Sequence, residues 1–318
     1  MRLPAIRSFG PTVWGIGLFL ILLAGSAPRI PVFLLTLVIG LLIWATLAYS
    51  LNLITGLTGY VSFGHVVFMA LGGYALAFGI GTWNLHPVAG VAFGAVVGAA
   101  LALGIGVVTL RFRGVYFAIA TLVVAIAALY IVLEVKELGD GQGLYLPSSV
   151  GFQPLAMFYT IWVILAIEIG LTYIITHGRI GYGLRSIKSD EDAASTLGIN
   201  AAQLKLFVYT LSGLFAGAAG GVYAWNVSGA SPYQAFDLGF SLQMLAMIVI
   251  GGMGTLLGPL IGTVAVYLPS QIFLTIPVLG GLQAIVIGIV VVVIALFVPG
   301  GIVGTLQKYI PEFRGILE

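Results

Sequence analysis

Cysteine is absent from all 318 residues, and charged side chains make up only 7% of them. The first absence excludes disulfides and thiolate-held metals. The second excludes an ordinary soluble domain, in which about a quarter of the residues are charged. A net charge of +2 is too small to point to a nucleic-acid partner. His65, His86 and His177 lack the spacing of metal ligands, and serine, histidine and aspartate are too scattered to suggest a hydrolytic triad. No metal, cofactor or enzymatic activity is therefore expected. Lys136, Lys188, Lys205 and Lys308 follow Val135, Ile187, Leu204 and Gln307, so no lysine follows a glycine. The GxxxxGK[ST] phosphate loop is thus missing, and any ATP that drives this protein must be bound by another chain.

What is present is apolar. Hydrophobic residues account for 60% of the chain, and the mean hydropathy is +1.17. The apolar runs are continuous rather than alternating, which selects membrane-spanning helices over a barrel. Glycine, proline and charge punctuation predicts helices near 11–27, 31–54, 61–80, 86–110, 114–136, 156–177, 206–227, 240–254, 256–275 and 281–299. The expected fold is an all-α integral membrane protein, a polytopic bundle of about ten transmembrane helices. Residues 1–30 would hold an N-terminal tail and helix, 31–305 the main membrane domain, and 306–318 a C-terminal tail.

An even number of spans puts both termini on one face. With the termini cytoplasmic, Arg2, Arg7, Arg111, Arg113, Arg179, Arg185, Lys188, Lys205, Lys308 and Arg314 all lie inside, and only Arg29 and Lys136 lie outside. That asymmetry is the one the positive-inside bias predicts. The N-terminus also fits a signal peptide, with Arg2 and Arg7 before an apolar core and small residues at Ala24–Ala27. Retention of the first helix is the favoured reading.

Glycine is abundant inside the apolar runs. Gly90, Gly94 and Gly98 recur every four residues, as do Gly213, Gly217 and Gly221, a spacing that lets helix backbones approach closely in lipid. Two further clusters, Gly56, Gly59 and Gly64, and Gly251, Gly252, Gly254 and Gly258, sit beside helix ends. They predict re-entrant or discontinuous helices beside a translocation route.

The long polar break is Gly178–Lys205. Ser189 as N-cap, Asp190, Glu191 and Asp192 in a first turn, and Gly198 after the last turn predict a two-turn helix that also takes in Ala193 and Ala194. Asn200 and Gln203 then cap the next span. About 28 residues far exceed what a connector needs, so this segment reads as a docking element.

The residues Asp192-Ala193-Ala194 followed by Gly198 resemble the coupling motif of ABC importer permeases, with aspartate in the acidic position. The string GYGLRSIKSDEDAASTLGIN (181–200) resembles the corresponding loop of permeases of branched-chain amino acid (LivM-type) importers. So do LNLITGLTGYVSFGHVVFMALGGY (51–74), RGVYFAIATL (113–122), GDGQGL (139–144) and GGMGTLLGPLIG (251–262). The resemblance covers roughly 40–305 in order; the terminal I-x-LP of the general coupling motif is not evident. It implies a permease subunit of an ATP-driven ABC importer in a bacterial or archaeal cytoplasmic membrane, moving branched-chain or related amino acids inward. The implied partners are cytoplasmic ABC ATPase subunits, a homologous second permease and an extracytoplasmic substrate-binding protein. Ser189, Asp190, Glu191, Asp192, Ala193, Ala194 and Gly198 would couple to the ATPase. Permeases for urea or short amides share this look.

Candidates for a substrate path are Gly64, His65, Gly72, Gly73, Gly251, Gly252 and Glu168. Glu168 lies inside an apolar helix, where a carboxyl is costly and usually faces the bundle or a cavity. It underlies the alternative of an ion-coupled secondary transporter. The segments 139–155 and 228–238, with Asp140, Gln142, Tyr145, Tyr233, Gln234 and Asp237, are candidate contacts for a delivering protein.

Overall fold

The computed structural model describes residues 22–275, 288–289 and 300–309. Of the helices expected at 11–27 and 281–299, only residues 22–27 and 288–289 fall among the described residues. Seven described helical stretches are long and apolar enough to cross a membrane: Val32–Gly56, His65–Trp83, Pro87–Thr109, Val115–Glu134, Pro154–His177, Ala201–Asn226 and Pro232–Gly251.

In chain order we label α1 Val32–Leu51, which continues as a π turn over Asn52–Gly56, then α2 His65–Trp83, α3 Pro87–Thr109 and α4 Val115–Glu134. The two-residue strand β1 (Leu144–Tyr145) precedes α5 Pro154–His177. Next come α6 Arg179–Ser189, α7 Glu191–Thr196, α8 Ala201–Asn226, the strand β2 (Gly229–Ala230) and α9 Pro232–Ala235. The described chain closes with α10 Leu238–Gly251, α11 Gly258–Thr275, which carries Pro269, and α12 Gly301–Tyr309.

Helix α8 is the hub, packed against α1, α2 and α3. The two glycine stripes interlock there. A methyl group on Gly98 would lie 2.3 Å from the Gly213 carbonyl oxygen, and one on Gly217 would lie 2.4 Å from that of Gly94. Helix α2 joins the same contact, since a Cβ on Gly72 would sit 2.2 Å from the Gly217 oxygen. Without a hydrophobic drive between helices in lipid, this close backbone approach supplies the dispersion energy of assembly. Helix α4 instead presents Val115, Tyr116, Ile119, Val123 and Tyr130 outward, as a lipid-facing helix does.

Two expectations are corrected. Ser189 is not the cap of the short helix: it closes α6, its hydroxyl donating to the Arg185 carbonyl at 3.1 Å. Asp190 takes the capping place because its extended backbone (φ −161°, ψ 113°) breaks the helix and aims its carboxylate at the next N–H groups. The span placed from 206 begins earlier, at Ala201, where Asn200 caps it as expected by accepting from the Gln203 N–H at 3.1 Å, and Lys205 lies in its first turns.

The segments 139–155 and 228–238 are brought together by the antiparallel pairs Leu144 with Ala230 and Tyr145 with Gly229. Tyr145 and Tyr233 are exposed there, whereas Asp237 caps α10 through the Gly239 N–H at 2.8 Å.

Candidate functional site

Helix α7 is built as expected apart from its cap. The Asp190 carboxylate accepts from the N–H groups of Asp192 and Ala193, both at 2.9 Å, and Gly198 turns the chain away at φ +82°. Ala194 is buried against Ile187 and Ala201, while Ala193, Ser195, Thr196 and Leu197 are exposed. One side of this two-turn helix is therefore seated and the other is free.

The seat is ionic. Glu191 turns inward and meets the ammonium of Lys205 at 2.7 Å, with the Tyr60 hydroxyl donating to its other oxygen. Lys205 is 2% exposed, lies 4.3 Å from the Tyr60 ring centroid, and also donates to the Tyr60 oxygen at 3.0 Å and the Leu110 carbonyl at 3.4 Å. Arg113 adds an exposed bridge to Asp192 at 2.8 Å. A single short helix is thus tied to the turn after α1, to the ends of α3 and α4, and to the start of α8. Burial alone would raise the Glu191 carboxyl, but hydrogen bonds from Lys205 and Tyr60 and the positive charges of Lys205 and Arg113 hold it below the usual carboxylate range. Burial, reinforced by the bond to Glu191, pushes the Tyr60 phenol well above its ordinary value.

A second tie runs from α6. The Lys188 ammonium donates to the Gly56 carbonyl at 2.8 Å, at the end of the π turn, and burial lowers its pKa. Here the two glycine clusters meet. The Asn52 amide donates to the Thr255 carbonyl at 3.3 Å and accepts from the Gly254 N–H at 2.8 Å, and the Tyr49 hydroxyl donates to the Leu256 carbonyl at 2.6 Å. A Cβ on Gly56 would lie 2.7 Å from the Gly254 nitrogen. The broken end of α1 and the break between α10 and α11 therefore satisfy each other's backbone, the condition for irregular chain at membrane depth.

All seven residues proposed from sequence to border a path are buried. Gly64 packs on the Thr121 backbone, Gly72 and Gly73 on α8, and Gly251 on Gly258. Gly252 (φ +126°) starts the break after α10. His65 is fully buried with its Nε2 3.0 Å from the Ser50 hydroxyl, and Glu168 is fully buried with neither carboxyl oxygen bonded. None of the seven borders the cavity of about 420 Å³ between α1, α8, α10 and α11. Among the described residues no group of three His, Asp or Glu side chains is placed to hold a metal. Sequence reasoning missed Tyr60, Lys205 and Asn52, all of them ordinary-looking in one dimension; a lysine that opens a long apolar helix was the available signal for Lys205.

Among curated proteins the chain is similar to the high-affinity branched-chain amino acid transport system permease protein LivM of Salmonella typhimurium and of Escherichia coli. It is 26% identical to each over 67% of its own length and 57% of theirs. The chain thus spans little more than half the length of these relatives. It is also similar to the ribose import permease protein RbsC of Escherichia coli, 30% identical over 34% of this chain and 36% of the relative. No solved structure matches. Residues 33–296, most of the chain and all of the helices that build the seat of α7, match the family model for the permease component of branched-chain amino acid transport systems, and the chain belongs to that family.

Proposed function

We propose that this chain is a membrane-spanning subunit of an ATP-driven importer for branched-chain or related amino acids, with α7 as the helix that receives the motion of a separate ATPase. The observation that carries the reading is the seat of α7: an exposed outer face on a helix fastened by Glu191, Asp192 and Lys205 to the ends of several spans. A partner that pushes on that face moves those helix ends together, which a plain connector has no reason to do. Family membership, and the missing phosphate loop, support an ATPase on another chain. The positive-inside count puts α6 and α7 in the cytoplasm, with both termini on that side.

The amino acid cargo follows the LivM relatives; the ribose permease relative, aligned over a third of the chain, makes a sugar the competing cargo, beside urea and short amides. The test is capture of the ATPase by a chain carrying Leu197→Asp, since Leu197 is 79% exposed at the tip of α7 and bonds to nothing in the seat. Loss of capture with membrane insertion intact supports coupling through α7, and undiminished capture and uptake refute it. The fully buried, unbonded Glu168 favours a second reading, ion-coupled transport by the chain alone.

A further inference from the structure

Two hollows share the seam between α5 and α8. The larger, of about 550 Å³, is walled there by Ile164, Ile167 and Leu171 of α5 and by Leu211, Leu214 and Ala218 of α8. The other, of about 490 Å³, lies where α6 meets the start of α8 and is lined by Arg179, Tyr182, Ser186, Asn200, Gln203 and Leu204. Helical spacing places the two on one face of each helix. Along α8, Leu204, Leu211, Leu214 and Ala218 recur at intervals of seven, three and four, with Phe207 exposed between the first two. Along α5, Ile167, Leu171 and Ile174 recur at four and three; Ile174 is exposed, and the helix ends at His177, two residues before Arg179. Leu204 to Ala218 spans roughly 21 Å at 1.5 Å per residue, more than one leaflet of a hydrocarbon core about 30 Å thick. An apolar furrow thus leads down to a polar, cationic cup.

Helix α6 forms the floor of that cup. It crosses the ends of α5 and α8: a Cβ on Gly181 would fall 2.4 Å from the Ile175 and Thr176 carbonyl oxygens, and one on Gly183 would fall 2.7 Å from the Leu204 side chain. Gly181, Leu184 and Ile187 are buried while Arg179, Tyr182 and Arg185 are exposed, the pattern of a helix lying in a membrane interface. Arg185 is partly committed, donating to the Thr176 carbonyl and lying 5.3 Å from the Tyr182 ring centroid. Arg179 has neither an ion pair nor a hydrogen bond among the described residues. The acids of α7 are already engaged, Glu191 with Lys205, Asp192 with Arg113 and Asp190 as the helix cap, and the described lining of the cup holds no carboxylate. The Asn200 amide oxygen accepts from the Gln203 N–H, which leaves the exposed Asn200 NH₂ free to donate.

We propose that this seam binds one anionic phospholipid, its headgroup in the cup at Arg179 and an acyl chain in the furrow between α5 and α8. The inference goes beyond the importer reading and holds whichever solute is moved. The unpaired Arg179 fork takes the phosphodiester through two parallel hydrogen bonds. The Tyr182 hydroxyl and the amides of Asn200 and Gln203 donate to the remaining headgroup oxygens, and Arg185 adds a second positive charge nearby. A zwitterionic headgroup would bring its own cation against two guanidiniums with no acid in the lining to receive it. Inorganic phosphate would match the cup and leave the furrow empty. A lipid held here joins the end of α5, α6 and the start of α8, the elements on which α7 is hung.

The test uses the full chain purified from native membranes in mild detergent, together with whatever assembles on it. It is exposed to equal amounts of phosphatidylglycerol and phosphatidylcholine, and the bound lipid is counted by native mass spectrometry. One phosphatidylglycerol per copy of this chain is expected, retained in preference to phosphatidylcholine and not released by excess inorganic phosphate. Arg179→Gln is expected to cut that retention about fivefold, the factor for one basic side chain at an anionic lipid surface. Leu211→Trp, which fills the furrow and leaves the cup intact, is expected to cut it as well. Lys136→Gln removes an exposed charge beyond the far end of α4 and should leave it unchanged. Equal retention of the two lipids, release by inorganic phosphate, or undiminished retention in Arg179→Gln overturns the site. Absence of an ATPase from the purified assembly overturns the importer reading instead and leaves the lipid count as measured.

Discussion

Glu191 and Lys205, separated by the end of one helix and the start of another, hold each other at 2.7 Å with the lysine almost wholly out of contact with solvent. Breaking a buried pair by removing one partner costs about 3–5 kcal/mol, because the remaining charge is stranded. Glu191→Gln is thus expected to lower the melting temperature in detergent and to cut uptake at least tenfold while ATPase capture through the outer face of α7 survives. Measured together, these two readouts separate a seat from a docking contact; a variant with full uptake would show that the pair transmits nothing.

The same pair sets an acid limit. The folded Glu191 carboxyl lies below its ordinary value of 4.5, so its stabilising contribution is fully present above that value and is lost as pH falls through the lowered folded pKa. The thermal stability of the native chain should fall as pH drops below about 4.5, and the Glu191→Gln chain should lack that contribution across the range. Parallel pH profiles for the two would contradict the assignment.

Replacing Asn52 with leucine removes both bonds that join the π turn to the break after α10. The Gly254 N–H and the Thr255 carbonyl are then left unpaired, at about 1–3 kcal/mol each. The expected outcome is a lower melting temperature and faster proteolysis near 252–257; an unchanged cleavage pattern would mean that the two breaks are held independently.

Gly217→Val should prevent assembly of α2, α3 and α8, because a Cβ there would lie 2.4 Å from the Gly94 oxygen, a backbone atom that cannot rotate aside. Overpacking of this kind costs about 1–3 kcal/mol or more. Gly104→Val, at a site with open space around it, serves as the control. Equal yields of monodisperse protein from both would contradict the packing account.

Glu168→Gln distinguishes the two transport readings. An ATP-driven importer keeps its uptake in this variant, since the amide fills the same space, whereas an ion-coupled transporter loses it. Uptake into vesicles with and without ATP, and with an uncoupler, decides between them.

The helical architecture and the glycine stripes were legible in one dimension because both follow from periodicity and composition. Gly94, Gly98, Gly213 and Gly217 stood out by spacing, and the structure shows what they touch. The short helix at 191–196 was legible from its acids and from Gly198, but the cap moved by one residue, because Ser189 and Asp190 both suit an N-cap and only the observed break in the backbone chooses between them. The seat was not legible. Tyr60, Arg113 and the Glu191–Lys205 segment come from three separate stretches of the chain, and only the packing of α3 and α8 places Leu110 and Lys205 beside α7. The cavity was not legible for the same reason: Trp44, Asn226, Gln243 and Gln271 are unremarkable singly and share one lining only where four helices converge.

The central claim is that this chain works with an ATPase that it does not itself contain. Affinity purification from native membranes in mild detergent, with the co-purifying chains identified by mass spectrometry, tests it most directly. The account predicts a homologous permease together with chains carrying a GxxxxGK[ST] loop. Recovery of this chain alone, still able to drive uptake in liposomes without ATP, would contradict it.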